Sequence, residues 1–503
     1  MMMMPCVLGI DVGSSSAKVG LFDLAGTTLA ISTHSYPTFQ PRAGFKEQDP
    51  ERWWQAVIQG IRAVRRKVPR REILAVGATG HISSLTFVDA SGKVLRPAIS
   101  FQDLRAADQL ETLYARFSRQ ELAQLLGIDL PPAANWPLPR LLWFRKHEPA
   151  ILDAAHRVLQ AKDFVNFRFT GEMVSDCSSN RGMVDFATEK VAASVFSAFD
   201  LPARLVPRIS PPHQIIGGIS SAAARQTGLP EGLPVVTGWN DFNAGVLGSG
   251  TVHEGDSLNV TGTSDHLGVI TTKSYSVPEL IWAPFLGEKH LLYGVTSSGG
   301  GSLAWVSELF QRKADELLRS AETVPAGADS LLFLPYLEGE RSPIWDPRAS
   351  GTFIGIHTLH GLRHFARAVL EGVAYSLRQI LELVTGLEPA VKQRLVVSGG
   401  AARADLWNQI KADVFGRPLV TLANPHVGVM GTAILAAVGT GHYSSYEEAV
   451  KEMVHTGREY LPQPSHAERY RECYSNYCRL YPALRAWFAE THQQRIITED
   501  HRA

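Results

Sequence analysis

At 503 residues the chain is too long for one ordinary hydrophobic core, so two domains are expected. Hydrophobic residues make up 45% and charged residues 19%, and 49 Lys plus Arg balance 49 Asp plus Glu. That is the composition of a globular protein, and the zero net charge argues against nucleic acid or an anionic membrane surface as the main partner.

The four cysteines, Cys6, Cys177, Cys473 and Cys478, lack metal-ligand spacing and point to reduced thiols in a cytoplasmic protein. Met1 to Met4 lead into a short apolar run with no basic n-region, so no signal peptide is expected. No stretch approaches the roughly 18 apolar residues that span a membrane.

The first apolar run, 7–10, leads straight into Asp11, then Gly13-Ser14-Ser15-Ser16 and Lys18, then a second apolar run. The pattern predicts strand, tight turn, strand. Such a turn offers backbone N–H groups to an anion such as phosphate, Lys18 adds a cation, and Asp11 stands where it could hold a metal. A plain hairpin reads equally well from this segment alone. A third strand is expected over 27–32. Asp49-Pro50-Glu51 predicts a helix start, with Asp as cap and Pro in the first turn. Trp53, Trp54, Val57, Ile58, Ile61 and Val64 then recur at helical spacing, and Arg65, Arg66 and Lys67 suit a helix C-terminus better than a phosphate patch.

Strands are expected over 73–78 and 85–88, and the polar loop between them carries His81. A histidine there can contact a ligand or serve the fold. In 100–105, Phe101, Gln102, Asp103 and Arg105 can bind a polyol or form an internal ion pair. Helices are expected from Leu141 and over 164–169. The buried-type strand 234–238 delivers Asp241 at its C-terminal end, where α/β folds tend to place chemistry. Asp241 reads either as a helix cap or as a general base. Segment 257–269 repeats the strand, Gly-hydroxyl turn and strand around Gly262-Thr263, without the acid before the glycine. Two such hairpins suggest two related domains facing one nucleotide. Gly299-Gly300-Gly301 precedes a helix and permits close approach of a backbone or a ligand. Further on come a strand over 331–334, a long apolar helix over 365–384, a strand over 394–398 running into Gly399-Gly400-Ala401, a small-residue helix over 427–438 and a terminal helix over 467–489. Strand–helix alternation in both halves gives an α/β fold.

Taken together these segments resemble the FGGY carbohydrate kinases, and among them the xylulose kinases most. The resemblance rests on 9–18, 141–149, 162–172, 238–245, 262–264, 335–343, 367–374 and 399–413, in that order along nearly the whole chain. It implies two actin-like (RNase H-like) domains flanking a catalytic cleft, 1–252 on the sugar side and 253–503 on the nucleotide side. It also implies ATP and Mg²⁺ as cofactors and a sugar or polyol as substrate, with a homodimer left open. By position, Asp11 is then the acid that organises Mg²⁺. Gly13, Ser14, Ser15 and Lys18, with Gly262 and Thr263, are phosphate-side groups. Gly300 and Gly301 lie along the nucleotide path, and Gly399, Gly400 and Ala401 form the adenosine wall. Asp241 is the general base, and His81, Phe101, Asp103 and Phe242 fall on sugar-side positions. The chain departs from the xylulose kinases at these positions. His81-Ile82-Ser83 replaces Gln-Met-His, Phe101 replaces Trp, Phe242 replaces Asn, and His426-Val427 stand near a place that often holds an acid. These departures remove polar partners and add apolar bulk, which argues against D-xylulose while keeping a sugar or polyol kinase. A non-catalytic nucleotide- or sugar-sensing protein on the same fold is the competing reading.

Overall fold

The computed structural model describes the backbone of residues 4–500 and the side chains of residues 4–491. The chain divides into two compact units. One runs to Val252 and takes back His426–His455; the other is His253–Pro425 with the chain from Thr456 onward. The sequence reading assigned 253–503 whole to the second domain, whereas the structure packs 426–455 into the first unit. The residues of 427–439 explain this: four close helix contacts described below demand glycines, and their partners lie in the first unit.

In the first unit the strands lie in the order Ile215–Gly218, Pro234–Val236, Arg71–Gly80, Met4–Val12, Ser16–Asp23, Thr28–Ser35, with Trp239–Asn240 beside Arg71–Gly80. Met4–Val12 and Ser16–Asp23 form the expected hairpin, antiparallel with Asp11 opposite Lys18, and Arg71–Gly80 runs parallel to the first strand. In the second unit the order is Ile281–Pro284, His290–Val295, Asp265–Thr271, Ser257–Thr261, Leu395–Gly399, Leu419–Leu422, Thr456–Tyr460. Ser257–Thr261 and Asp265–Thr271 form its hairpin, and Leu395–Gly399 again runs parallel to the first strand. The first sheet has three successive antiparallel strands and the second four; in each, two further strands run parallel to the first strand of the hairpin, and an antiparallel strand closes that edge. The internal echo of the two turns extends to the centre of each sheet, and the edges differ.

Pro50–Lys67 starts as its sequence predicts. The Asp49 carboxylate accepts from the Glu51 amide at 2.9 Å, and Pro50 occupies the first turn, where its missing N–H costs nothing. The Trp53, Trp54, Val57, Ile61 and Val64 side chains are all buried against the first sheet. The helix expected from Leu141 begins earlier, as Pro137–His147. Pro137 and Pro139 read as breakers, yet both fall in the first turn, which has no intrahelical N–H bonds to lose. Leu362–Leu387 is the central helix of the second core, and Tyr470 and Tyr477 of Pro464–Asp500 pack against its Tyr375 with centroids 6.3 and 5.4 Å away. Among the described residues no helix is long and apolar enough to cross a membrane.

Within the first unit, Val427–Gly439 packs on its neighbours with almost no side-chain spacer. A Cβ on Gly9 would overlap the Val429 carbonyl oxygen, and one on Gly77 that of Thr432. A Cβ on Gly431 would overlap the Ala244 oxygen, and one on Gly248 that of Val427. This helix therefore lies directly on two strands and on Asp241–Gly248, and brings Gly428 to Asp11: a Cβ there would stand 3.2 Å from Asp11 Oδ2.

Candidate active site

Three neighbouring parallel strands of the first unit end together. Val12 pairs with Gly80, and Gly80 with Asn240. The next residues along are Gly13, His81 and Asp241, so the chemistry-bearing groups gather at the carboxyl edge of the sheet. The His81 amide donates to the Val12 carbonyl at 3.0 Å, which locks two of these ends together.

Asp241 is the first residue of the Asp241–Gly248 helix, not its cap. The cap is Asn240, whose side-chain oxygen accepts from the Asn243 amide at 2.8 Å. Asn240 is itself held by Ser178, whose hydroxyl accepts from Asn240 Nδ2 at 2.6 Å and donates to Asp176 at 2.5 Å. Asp176 pairs with the buried Lys162 at 3.0 Å, and Lys162 with Asp163 at 2.5 Å. With capping done by its neighbour, the Asp241 carboxylate accepts from the Phe242 amide at 2.9 Å, and the residue is exposed. Desolvation by the surrounding protein first, and the nearby Asp11 charge second, push it up to about 7. That is the range in which a carboxylate serves as a base at neutral pH.

Asp11, one residue before the end of its strand, is partly exposed. Burial raises its carboxyl above the usual range, and Lys18 across the hairpin pulls it down. The two carboxylates fit a hard divalent cation. Carboxylates are the donors Mg²⁺ takes beside water and phosphate ligands.

The turn after Asp11 is pinned through its carbonyls. Tyr36 O–H donates to Gly13 O, Gln48 Nε2 to Ser14 O at 2.7 Å, and the Tyr36 amide to Ser15 O at 3.0 Å. The second turn is built alike: the Gly262 amide donates to Ser264 O at 3.0 Å, as the Gly13 amide does to Ser16 O at 3.0 Å. Here the pins are the first amides of the Gly300–Leu309 helix. Gly300 N donates to Gly262 O at 2.8 Å and Gly301 N to Thr263 O at 3.0 Å. Those glycines thus admit another backbone, one of the two partners the sequence allowed. Gly399 sits at φ +95°, where a Cβ would overlap the Thr261 oxygen, while Gly400 is open and Ala401 leans on the second core.

Gln48, unmarked in sequence, links the turn to His81. Trp53 Nε1–H can only donate, and it meets Gln48 Oε1 at 3.0 Å, which fixes the amide's orientation. The same oxygen faces His81 Nε2 at 3.3 Å, so that nitrogen carries the proton. Burial, then Arg140, push His81 down to about 4, so the ring is neutral. Its Nδ1 is buried without a partner among the described residues. Phe101 lies 6.2 Å from the imidazole centroid to centroid, and its carbonyl accepts from Arg140 Nη2 at 3.0 Å. Asp103 is different. It is fully buried and its oxygens accept from Arg105 Nε and Nη2 at 2.8 Å each, the Arg105 amide at 3.0 Å and the Lys46 amide at 2.6 Å. The internal ion pair, one of the two readings of this segment, is what forms, and Asp103 has no lone pair to spare for a sugar.

A paired α/β architecture, with an acid-bearing turn on one sheet and an open carboxylate beside it, is that of the actin-like class. Residues 6–248 match the N-terminal domain, and residues 258–440 the C-terminal domain, of the FGGY family of carbohydrate kinases. The xylulose kinase of Bacillus subtilis (strain 168) is 30% identical over 495 residues, covering 95% of this chain and 97% of its own. The crystal structure of xylulose kinase from Rhodospirillum rubrum superposes with a TM-score of 0.86 at 31% identity, over 96% of this chain and 100% of that one. Gluconate kinase from Lactobacillus acidophilus gives 0.87 at 25% identity, over 97% and 99%. The chain belongs to the FGGY family of carbohydrate kinases. It is an ATP-dependent sugar kinase.

Proposed function

We propose that this kinase transfers the γ-phosphoryl group of ATP to a hydroxyl of a ketose, polyol or related sugar, with Asp241 as general base. The observation that carries the reading is the carboxylate at the carboxyl edge of the first sheet, freed from capping by Asn240 and held near neutrality beside Asp11. A sugar hydroxyl is a poor nucleophile. As its oxygen bonds to the γ-phosphorus, its proton passes to Asp241 and the bond to the ADP oxygen breaks. Asp11 is the acid assigned to Mg²⁺, which when bound neutralises charge on the phosphates. Gly13, Ser14, Ser15 and Lys18 take phosphate oxygens, as do Gly262 and Thr263, which Gly300 and Gly301 hold in place. Gly399, Gly400 and Ala401 take the adenosine. His81, Phe101 and Phe242 line the sugar position, and Asp103 shapes it through Arg105.

A sensor without catalysis has no use for a base tuned near pH 7, so that reading is not favoured. ADP release measured over ketoses and polyols, each with Mg²⁺-ATP, tests the proposal. Sugar-dependent release that saturates with one of them is expected, and its absence across the set contradicts the proposal.

A further inference from the structure

Among the described residues Arg181 is a strongly buried cation of this site with no carboxylate in contact; Asp241 feels its charge without pairing to it. Its side chain is 5% exposed, it makes no hydrogen bond or ion pair with any described residue, and its Nε is buried and unsatisfied. Other buried cations of this unit are matched. Lys162 has Asp163 and Asp176, Arg105 has Asp103 and Glu47, and Arg140 has three carbonyls. A buried guanidinium left unpaired is costly, so a chain that keeps one has a partner for it that comes from outside.

The place of Arg181 says where that partner binds. It follows the 3₁₀ turn Cys177–Asn180, whose Ser178 hydroxyl is bonded to Asn240 at 2.6 Å, one residue before Asp241. Asp241 feels its charge, and Arg181 opposes the rise of that carboxyl. The guanidinium carbon lies 5.8 Å from the ring centre of Trp136, which is fixed by its Nε1 donating to Pro131 O at 2.8 Å. Stacking on an aromatic face orients the planar cation and leaves its N–H edge to a ligand. The partner that matches a rigid fork of donors is a carboxylate, which accepts two parallel bonds and supplies the missing charge; a hydroxyl does neither.

We propose that Arg181 receives the carboxylate of a sugar acid, so that the substrate is an aldonate whose hydroxyl is presented to Asp241. This rests on the kinase reading of the site and names its substrate class. The Arg181–carboxylate pair fixes one end of the substrate while the base and phosphoryl donor act at another.

The test uses four aldonates (D-erythronate, D-threonate, D-xylonate and D-gluconate) and neutral compounds of matched length (erythritol, threitol, D-xylulose, xylitol and sorbitol). ADP release gives kcat/KM for each, and thermal shift without ATP gives binding. The wild-type chain should prefer an aldonate. Arg181→Met should cut the ratio of its kcat/KM to that of the matched neutral compound by at least about 100-fold, with Arg181→Lys between. Arg181→Met should also lose the aldonate-induced rise in Tm while still being stabilised by Mg²⁺-ADP, which shows that the variant is folded. A neutral compound as best substrate, or a ratio unchanged in Arg181→Met, overturns the proposal. If no compound releases ADP, the kinase proposal fails by itself; aldonate protection that depends on Arg181 would still support the carboxylate site, and absence of such protection would overturn it.

Discussion

The residue to which we assign the chemistry is Asp241, and its environment sets a pH signature for that assignment. Its carboxyl stands at about 7, well above the usual carboxylate value, chiefly because the surrounding protein desolvates it. A base must be ionised to act. So kcat/KM should rise about tenfold per pH unit below 7 and level off above it, whereas an ordinary aspartate would give a flat profile from pH 5 to 8. The same shift bears on stability with the opposite sense. Because the folded value lies above the unfolded one, ionising Asp241 disfavours the folded state, and this stability is lost as pH rises through 7. Asp241→Asn should therefore melt higher than the wild-type chain at pH 8 and level with it near pH 4, which paired thermal melts would show. Asp11→Asn should raise the Mg²⁺ concentration that half-saturates ADP release and lower turnover; an unchanged metal titration would remove Asp11 from the site. Much of this was legible in sequence, since an acid after an apolar strand and before small residues marks a strand's carboxyl edge. What was not legible is that Asn240, a residue earlier, does the capping. Both residue types cap helices well, and only the backbone decides between them. Arg181 gave no signal either, because a lone arginine in a Ser- and Asn-rich stretch reads as surface until its burial is known.

At the scale of elements, the two hairpins and the helix after Asp49-Pro50 follow from patterns a single segment carries: apolar runs broken by small residues, and a cap followed by proline. The start of Pro137–His147 does not, because proline signals both helix start and helix break. Nor does the placement of Val427–Gly439. Its small residues announce close packing, but nothing in the segment says against what. The structure answers with two strands and a helix of the first unit, all met backbone to backbone. Gly431→Ala would drive a methyl into the Ala244 carbonyl, so we expect a loss of about 1–3 kcal/mol in urea unfolding. Gly386→Ala is the contrast. It lies within Leu362–Leu387 with nothing near its added methyl, and should gain about 0.5–1 kcal/mol. Equal effects of the two substitutions would show that the close approach is not what holds the helix. Gly431→Ala should also weaken turnover, because the same helix brings Gly428 against Asp11.

For the whole molecule, the two units share a central plan, a hairpin whose first strand has parallel neighbours on its other side, and each places its Gly-hydroxyl turn after the first strand of its sheet. Only the first unit has an acid before the turn and a carboxylate, Asp241, just past the end of a neighbouring strand, so we assign the chemistry to one copy of a repeated plan and donors to the second. This account stands or falls on Asp241 as the base, and one measurement reaches it most directly: single-turnover transfer of labelled γ-phosphate to the sugar acceptor in Asp241→Asn, at pH 8 and saturating Mg²⁺-ATP. The substitution keeps shape and removes basicity. The account predicts ATP binding unchanged, a cooperative melt, and transfer slower by roughly 10²–10⁴. Transfer within a few-fold of the wild-type rate, in a variant that still binds ATP and melts cooperatively, would contradict it.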